Sequence, residues 1–197
     1  MTVTAQAVAG PRSASNGWWG MVLLIATEAA LFAVLLVSYF YLRFETVGGW
    51  PPDGIADPKL LRATLMTAVL APSSLFVHAA EAGIRRGSQR ALVAGLALGF
   101  LLGLAFLGLQ IWETAVVADE LRPQTNAYGS FFFTITGAHS AHLVAGLALV
   151  AWIQLRAWFG AYSPRRHLGV QMAAIYWHFV VVVQLAIFAT LYLSPRI

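Results

Sequence analysis

Apolar residues fall into five long blocks: Trp18 to Leu42, about Ala63 to Ala80, Ala91 to Trp112, Tyr128 to Leu155 and Leu168 to Leu193. Each reaches the roughly 17–25 residues that a helix needs to cross a bilayer. Inside lipid, every backbone N–H and C=O must find a partner within its own segment, so such blocks read as helices. The alternative is a barrel, which needs short segments of alternating polarity, and no such alternation runs through these blocks. The pattern therefore predicts an all-α fold, a polytopic membrane bundle of five transmembrane helices.

The breaks between blocks are short. Residues 1–17 are small and polar, carry one Arg and lack an apolar core. They read as a disordered N-terminal tail rather than a cleavable signal, leaving 18–197 as one membrane domain. Residues 43–60 include Gly48-Gly49-Trp50-Pro51-Pro52-Asp53, turn chemistry with an aromatic suited to a membrane interface. Arg85-Arg86-Gly87-Ser88-Gln89-Arg90 forms a tight basic turn, residues 116–127 carry Asp119, Glu120 and Arg122, and Arg165-Arg166-His167 precedes the last block.

Composition agrees with the pattern. Hydrophobic residues make up 59% of the 197 and charged residues 10%, with a mean hydropathy of +0.74. A soluble domain has about 25% charged residues, so a soluble enzyme and a disordered chain are both excluded. There is no Cys, hence no disulfide, thiolate metal site or Cys nucleophile. The net charge of +4 reads as membrane orientation rather than nucleic-acid binding. Five crossings put the termini on opposite sides. The N-terminal side collects Arg12, Arg85, Arg86, Arg90, Arg156, Arg165 and Arg166, and the other side Arg43, Lys59, Arg62, Arg122 and Arg196. The positive-inside rule then places the N-terminus in the cytoplasm and the C-terminus outside.

Polar residues within the blocks are the candidates for function. Glu28 lies eleven residues into the first block, roughly 16 Å deep at 1.5 Å per residue. An ionised carboxylate there costs several kcal/mol unless it is paired or protonated. It reads either as a proton-active site or as a protonated carboxyl satisfied by a neighbouring helix. Glu113 closes the third block, where an acid facing water or headgroups is the simpler expectation. Four histidines are intramembrane: His78, His139, His142 and His178. His139 and His142 are spaced i, i+3 and share a helix face. Paired helical histidines can hold haem iron; they can equally serve as an interhelical polar seam. No second block repeats the pair.

Small residues mark packing faces. Gly95, Gly99 and Gly103 keep a small-xxx-small spacing, with Gly108 beyond, and Gly137, Ala141 and Ala145 do the same in the fourth block. Pro72 should kink the second helix, with Ser73 and Ser74 available to the freed backbone groups. Trp18, Trp19, Trp50, Trp112, Tyr128, Trp158 and Tyr192 lie near predicted helix ends, as an aromatic belt would.

Several of these stretches together resemble a known family. They are Trp19-Gly20-Met21, Ile25-Ala26-Thr27-Glu28, Phe32, Tyr39-Phe40-Tyr41-Leu42-Arg43, the Gly-Gly-Trp-Pro-Pro loop and Gln110-Ile111-Trp112-Glu113. Tyr128-Gly129-Ser130-Phe131-Phe132, Thr136-Gly137-Ala138-His139-Ser140-Ala141-His142, Gly146 and Tyr176-Trp177-His178-Phe179-Val180 complete the set. In order and spacing, from about residue 18 to 194, they resemble short bacterial forms of haem–copper oxidase subunit III. Two departures stand out. The family's last helix usually continues with Asp and then Trp, where this chain has Val181 and Gln184, and Ser140-Ala141 replace a Gly-Leu between the paired histidines.

The resemblance implies a non-catalytic, non-redox subunit of a proton-pumping cytochrome c oxidase in a bacterial plasma membrane. It implies haem and copper on partner subunits and no metal on this chain. It also implies contact with oxidase subunits I and II, bound phospholipid, and support of proton uptake and turnover stability. No nucleic-acid partner is expected. Glu28 and Glu113 are then the proton-linked polar residues, and His78, His139, His142 and His178 a hydrogen-bonded seam joining the second, fourth and fifth helices. The alternatives are an accessory subunit of a quinol oxidase or nitric oxide reductase, or a small haem protein using His139 or His142 with His178.

Overall fold

The computed structural model describes residues 16–46, 49–52, 59–121, 123–124 and 126–196. The expected tail, apart from Asn16 and Gly17, and Gly48 and Asp53 of the first loop lie outside the described residues. Five helices form: α1 Asn16–Glu45, α2 Leu60–Arg85, α3 Gln89–Glu120, α4 Ala127–Trp158 and α5 Leu168–Ile187. The last continues through a π-helical turn, Phe188–Leu193, into a 3₁₀ turn, Ser194–Arg196. All five helices are long and apolar enough to cross a membrane, and no β-strand occurs among the described residues.

The helices outrun the apolar blocks. α3 continues to Glu120, which removes most of the connection expected over 116–127. Apolarity marks where lipid begins, whereas a helix stops only where its caps are. At the α2–α3 turn Gly87 takes φ +82°, the left-handed conformation that closes a helix C-terminus. Ser88 N then donates to Gly83 O at 2.9 Å, and the Ser88 side chain accepts from Ala91 N to start α3. Asn126 does the same for α4, accepting from Gly129 N at 2.7 Å.

α2, α3, α4 and α5 close into a ring in which each touches its neighbours, and α2 and α3 make the most extensive contact. α1 leans on α4 and α5 from outside and buries only Phe32 and Tyr39. Lipid tails are as apolar as Leu, so close packing rather than water exclusion holds such helices together. The glycine stripe on α3 supplies that closeness. A Cβ at Gly95 would stand 2.6 Å from Phe76 O, one at Gly99 2.7 Å from Val77 Cγ2, and one at Gly103 2.5 Å from Trp177 Cη2. Trp177 is fully buried. Its ring packs beside Gly103 of α3 and Gly146 of α4, and its Nε1 donates to Ser73 Oγ of α2 at 2.9 Å.

Several packing expectations differ from the structure. Gly108 has open space around it, and the α4 stripe Gly137-Ala141-Ala145 points out of the ring, with Gly146 packing inside instead. Tyr128 and Tyr192 are core residues rather than belt residues; Trp19 and Trp158 are exposed at helix ends as expected, while Trp112 is exposed but lies two turns inside the end of α3. α2 is continuous through Pro72, which leaves the expected kink untested. Ser73 donates to Leu70 O at 2.6 Å, while Ser74 turns away to α5.

Candidate functional site

The intramembrane polar residues do not form one seam. They occupy three places, each set by which neighbouring helix the side chain meets.

The first place lies between α1 and α4. His142 Nε2 stands 2.9 Å from Glu28 Oε2, and His142 Nδ1 2.7 Å from Ala138 O. A carbonyl only accepts, so Nδ1 is assigned the proton. A hydrogen bond across the contact then needs one further proton, on Nε2 or on the carboxyl. The pair is either neutral acid with neutral imidazole, or carboxylate with imidazolium. Both have zero net charge, which answers the cost of an acid at this depth. Phe32, about one turn beyond Glu28, covers the pair with its ring 5.0 Å from that of His142, and Tyr176 Oη donates to His142 O at 3.2 Å. His142 therefore joins α1 to α4 and not α2 to α5.

The second place lies between α2 and α5. Ser74 Oγ and His178 Nδ1 are 2.5 Å apart, and the His78 and His178 rings are 6.1 Å apart. One turn on, Glu81 is buried and pairs with Arg85. The sequence reading passed over this i, i+4 pair, whose spacing is its own signal.

The third place is inside the ring. His139 is 1% exposed, and neither ring nitrogen has a hydrogen-bonding partner among the described residues. It faces a small cavity with Gln110, Thr136, Gln184 and Tyr192. Gln184 donates to Thr67 Oγ1 at 3.2 Å and Gln110 to Thr114 Oγ1 at 3.3 Å. Glu113, one turn from Gln110, is 3% exposed and pairs with Arg62 Nη1 at 3.1 Å. The Arg62 guanidinium also lies 4.9 Å over the Trp112 ring. Glu113 thus faces inward to a cation rather than outward to headgroups. Thr67, Gln110, Gln184 and Arg62 were not legible as partners, because one sequence does not say which helices touch.

At the end of the bundle where α4 gives way to α5, a groove of about 560 Å³ opens, lined by the ends of both spans and by the turn between them. Arg156, Arg165, Arg166, Tyr162 and Trp152 line it. Arg156 lies 5.9 Å over the Tyr162 ring. Burial pushes the Tyr162 hydroxyl up from its ordinary pKa, with Arg156 opposing it.

Haem does not fit the histidines. The cavity at His139 is about 10 Å³, against the roughly 300–1,000 Å³ of a cofactor pocket. His142 has both nitrogens engaged and His178 one. No three His, Asp or Glu side chains are grouped to hold a metal among the described residues.

Fold and site define a multi-pass membrane protein built on a tight four-helix ring with one flanking helix. Comparison gives its family. The family model for cytochrome c oxidase subunit III matches residues 11–195. Cytochrome c oxidase subunit 3 of Synechocystis sp. is 33% identical over 176 residues, 89% of this chain and 74% of its own. That of Thermostichus vulcanus is 32% identical, over 90% of this chain and 87% of its own. Cytochrome bo(3) ubiquinol oxidase subunit 3 of Pseudomonas aeruginosa is 30% identical, over 92% and 86%. The chain belongs to the cytochrome c oxidase subunit III family.

Proposed function

We propose that this chain is the third subunit of a bacterial cytochrome c oxidase, packed on subunits I and II and without redox chemistry of its own. Oxygen reduction and the haem and copper it needs reside on those partners. Membership of the family carries the reading, through relatives named cytochrome c oxidase subunit 3 that align over about nine-tenths of this chain. The site is consistent with a supporting role. A proton held between Glu28 and His142 keeps the pair at zero net charge, so it can pass from one to the other without placing a net charge in lipid. This pair is the proton-linked element of the reading, Glu113 with Arg62 an internal anchor, and His78 and His178 a helix tie.

Bound phospholipid is part of the proposal. The groove beside Arg156, Arg165 and Arg166 joins cationic side chains to the exposed indole of Trp152, the combination that suits an anionic headgroup at the interface. The location proposed is the plasma membrane, with the N-terminus cytoplasmic by the arginine distribution.

A ubiquinol oxidase subunit is the second reading, favoured by the Pseudomonas aeruginosa relative. Purification through a tag on this chain, followed by identification of the co-purifying subunits, separates the two. A copper-binding subunit II supports cytochrome c as donor. A subunit II without copper supports quinol, and purification without oxidase subunits contradicts both.

A further inference from the structure

The cavity inside the ring lies where two apolar cores meet. Met66 belongs to the core around Trp177, and Ala63, Ile187 and Tyr192 to the core around Tyr39 and Tyr128. At this junction the lining turns polar: Gln110 from α3, Thr136 and His139 from α4, and Gln184 from α5. All four are at most 5% exposed.

Their hydrogen bonds leave acceptors open, and at His139 a donor as well. Thr136 Oγ1 donates to Phe132 O at 2.6 Å, which leaves its oxygen able to accept. Gln110 and Gln184 each spend an N–H on a threonine, and their carbonyl oxygens are acceptors. His139 presents one N–H and one lone pair if neutral, and neither is engaged within the protein among the described residues. Its other neighbours are aromatic, with Phe106 at 5.9 Å and Phe32 at 6.5 Å between ring centroids. A cavity of about 10 Å³ is near the smallest space that admits a water, and a water there needs two to four polar partners. Apolar cavities stay dry; this one meets the polarity condition.

We propose that this cavity is a hydration site, holding one ordered water that accepts from the His139 imidazole and donates to the side-chain oxygens of Gln110 and Gln184. The water completes a chain from Thr67 through Gln184 to His139 and on toward Gln110 and Thr114. α2, α3, α4 and α5 are then tied at one level by a polar contact that none of their side chains makes directly. His139 is a neutral bridging group in this arrangement, neither a metal ligand nor part of the Glu28–His142 pair. The inference concerns this chain alone and does not depend on the oxidase assignment.

The test is water-edited solid-state NMR on the full chain, labelled with ¹⁵N-histidine and held in lipid bilayers. His139→Phe identifies its resonances by difference. The expected result is magnetisation passing from water to a His139 ring nitrogen. Ala63→Leu, which adds a side chain to the cavity wall, should abolish that transfer while leaving the His142 signal in place. If Ala63→Leu does not fold, the unsubstituted chain decides the matter alone. A His139 ring that receives nothing from water, beside a His142 ring that does, would overturn the proposal. So would transfer that survives unchanged in a folded Ala63→Leu chain.

Discussion

Adding one methyl group at Gly103 tests the packing that holds the ring together. Its Cβ would lie 2.5 Å from Trp177 Cη2, 2.8 Å from Cζ2 and 3.0 Å from Leu147 Cδ2. Carbon atoms sit best at about 3.5–4.0 Å, so Trp177 would have to retreat by about 1 Å. It has nowhere to go. The ring is 0% exposed, Gly146 flanks it from α4, and Nε1 is held by Ser73 at 2.9 Å. Overpacking of this kind costs about 1–3 kcal/mol, and the higher helix propensity of Ala returns up to about 1 kcal/mol. The net loss for Gly103→Ala is then up to about 2 kcal/mol, or up to roughly 30-fold in the folded-to-unfolded ratio. Gly108→Ala on the same helix meets nothing within 4 Å and should be neutral or slightly stabilising. The assay is SDS-titrated unfolding of the purified chain in mixed micelles, followed by circular dichroism. A second arm uses Trp177→Phe, which should cost less in the Gly103→Ala background than alone, a coupling of about 0.5 kcal/mol or more. Equal stability of Gly103→Ala and Gly108→Ala would show that Trp177 is free to move, as would strict additivity with Trp177→Phe.

Other consequences follow from the same structure. Glu28→Gln keeps a neutral partner for His142 and should preserve assembly and most oxygen uptake of the purified complex, with a smaller effect on proton pumping or lifetime in turnover; loss of uptake by orders of magnitude with all metal centres intact would place Glu28 on an obligatory proton path. A tag at Met1 should be inaccessible from outside intact cells and one after Ile197 accessible, and reversed labelling would overturn the orientation. Tyr162, half-buried and raised above its unfolded pKa, binds its proton more tightly when folded. Its contribution is present below the unfolded value, about 10, and is lost as pH rises from there through the higher folded value. Tyr162→Phe should flatten the alkaline loss of stability, and an unchanged alkaline limb in pH-dependent unfolding would count against that burial.

The five helices were legible because lipid leaves the backbone no alternative, and their apolar lengths are written directly in the chain. Their ends were not, since α3 runs on past the polar Glu113-Thr114 step to Glu120. Glu28 stood out as an acid at mid-depth, but its partner did not. The pairing of His139 and His142 by i, i+3 spacing was only half informative. Such positions differ by about 60° around the axis, enough for His142 to reach α1 while His139 turns into the ring. Val181, at the position of the family's Asp, is buried and apolar, whereas Gln184 keeps a polar contact to Thr67. Neither outcome follows from residue type; both depend on which helix lies opposite.

On the proposed reading, this chain supports a redox complex without holding a redox centre. The most direct measurement is haem and metal quantitation on the isolated chain beside the complex purified through it. The expected result is an isolated chain with no Soret band and no stoichiometric iron or copper, and a complex that carries both metals on its other subunits. A Soret band retained stoichiometrically by the isolated chain, and lost with His139→Ala or His178→Ala, would contradict the account.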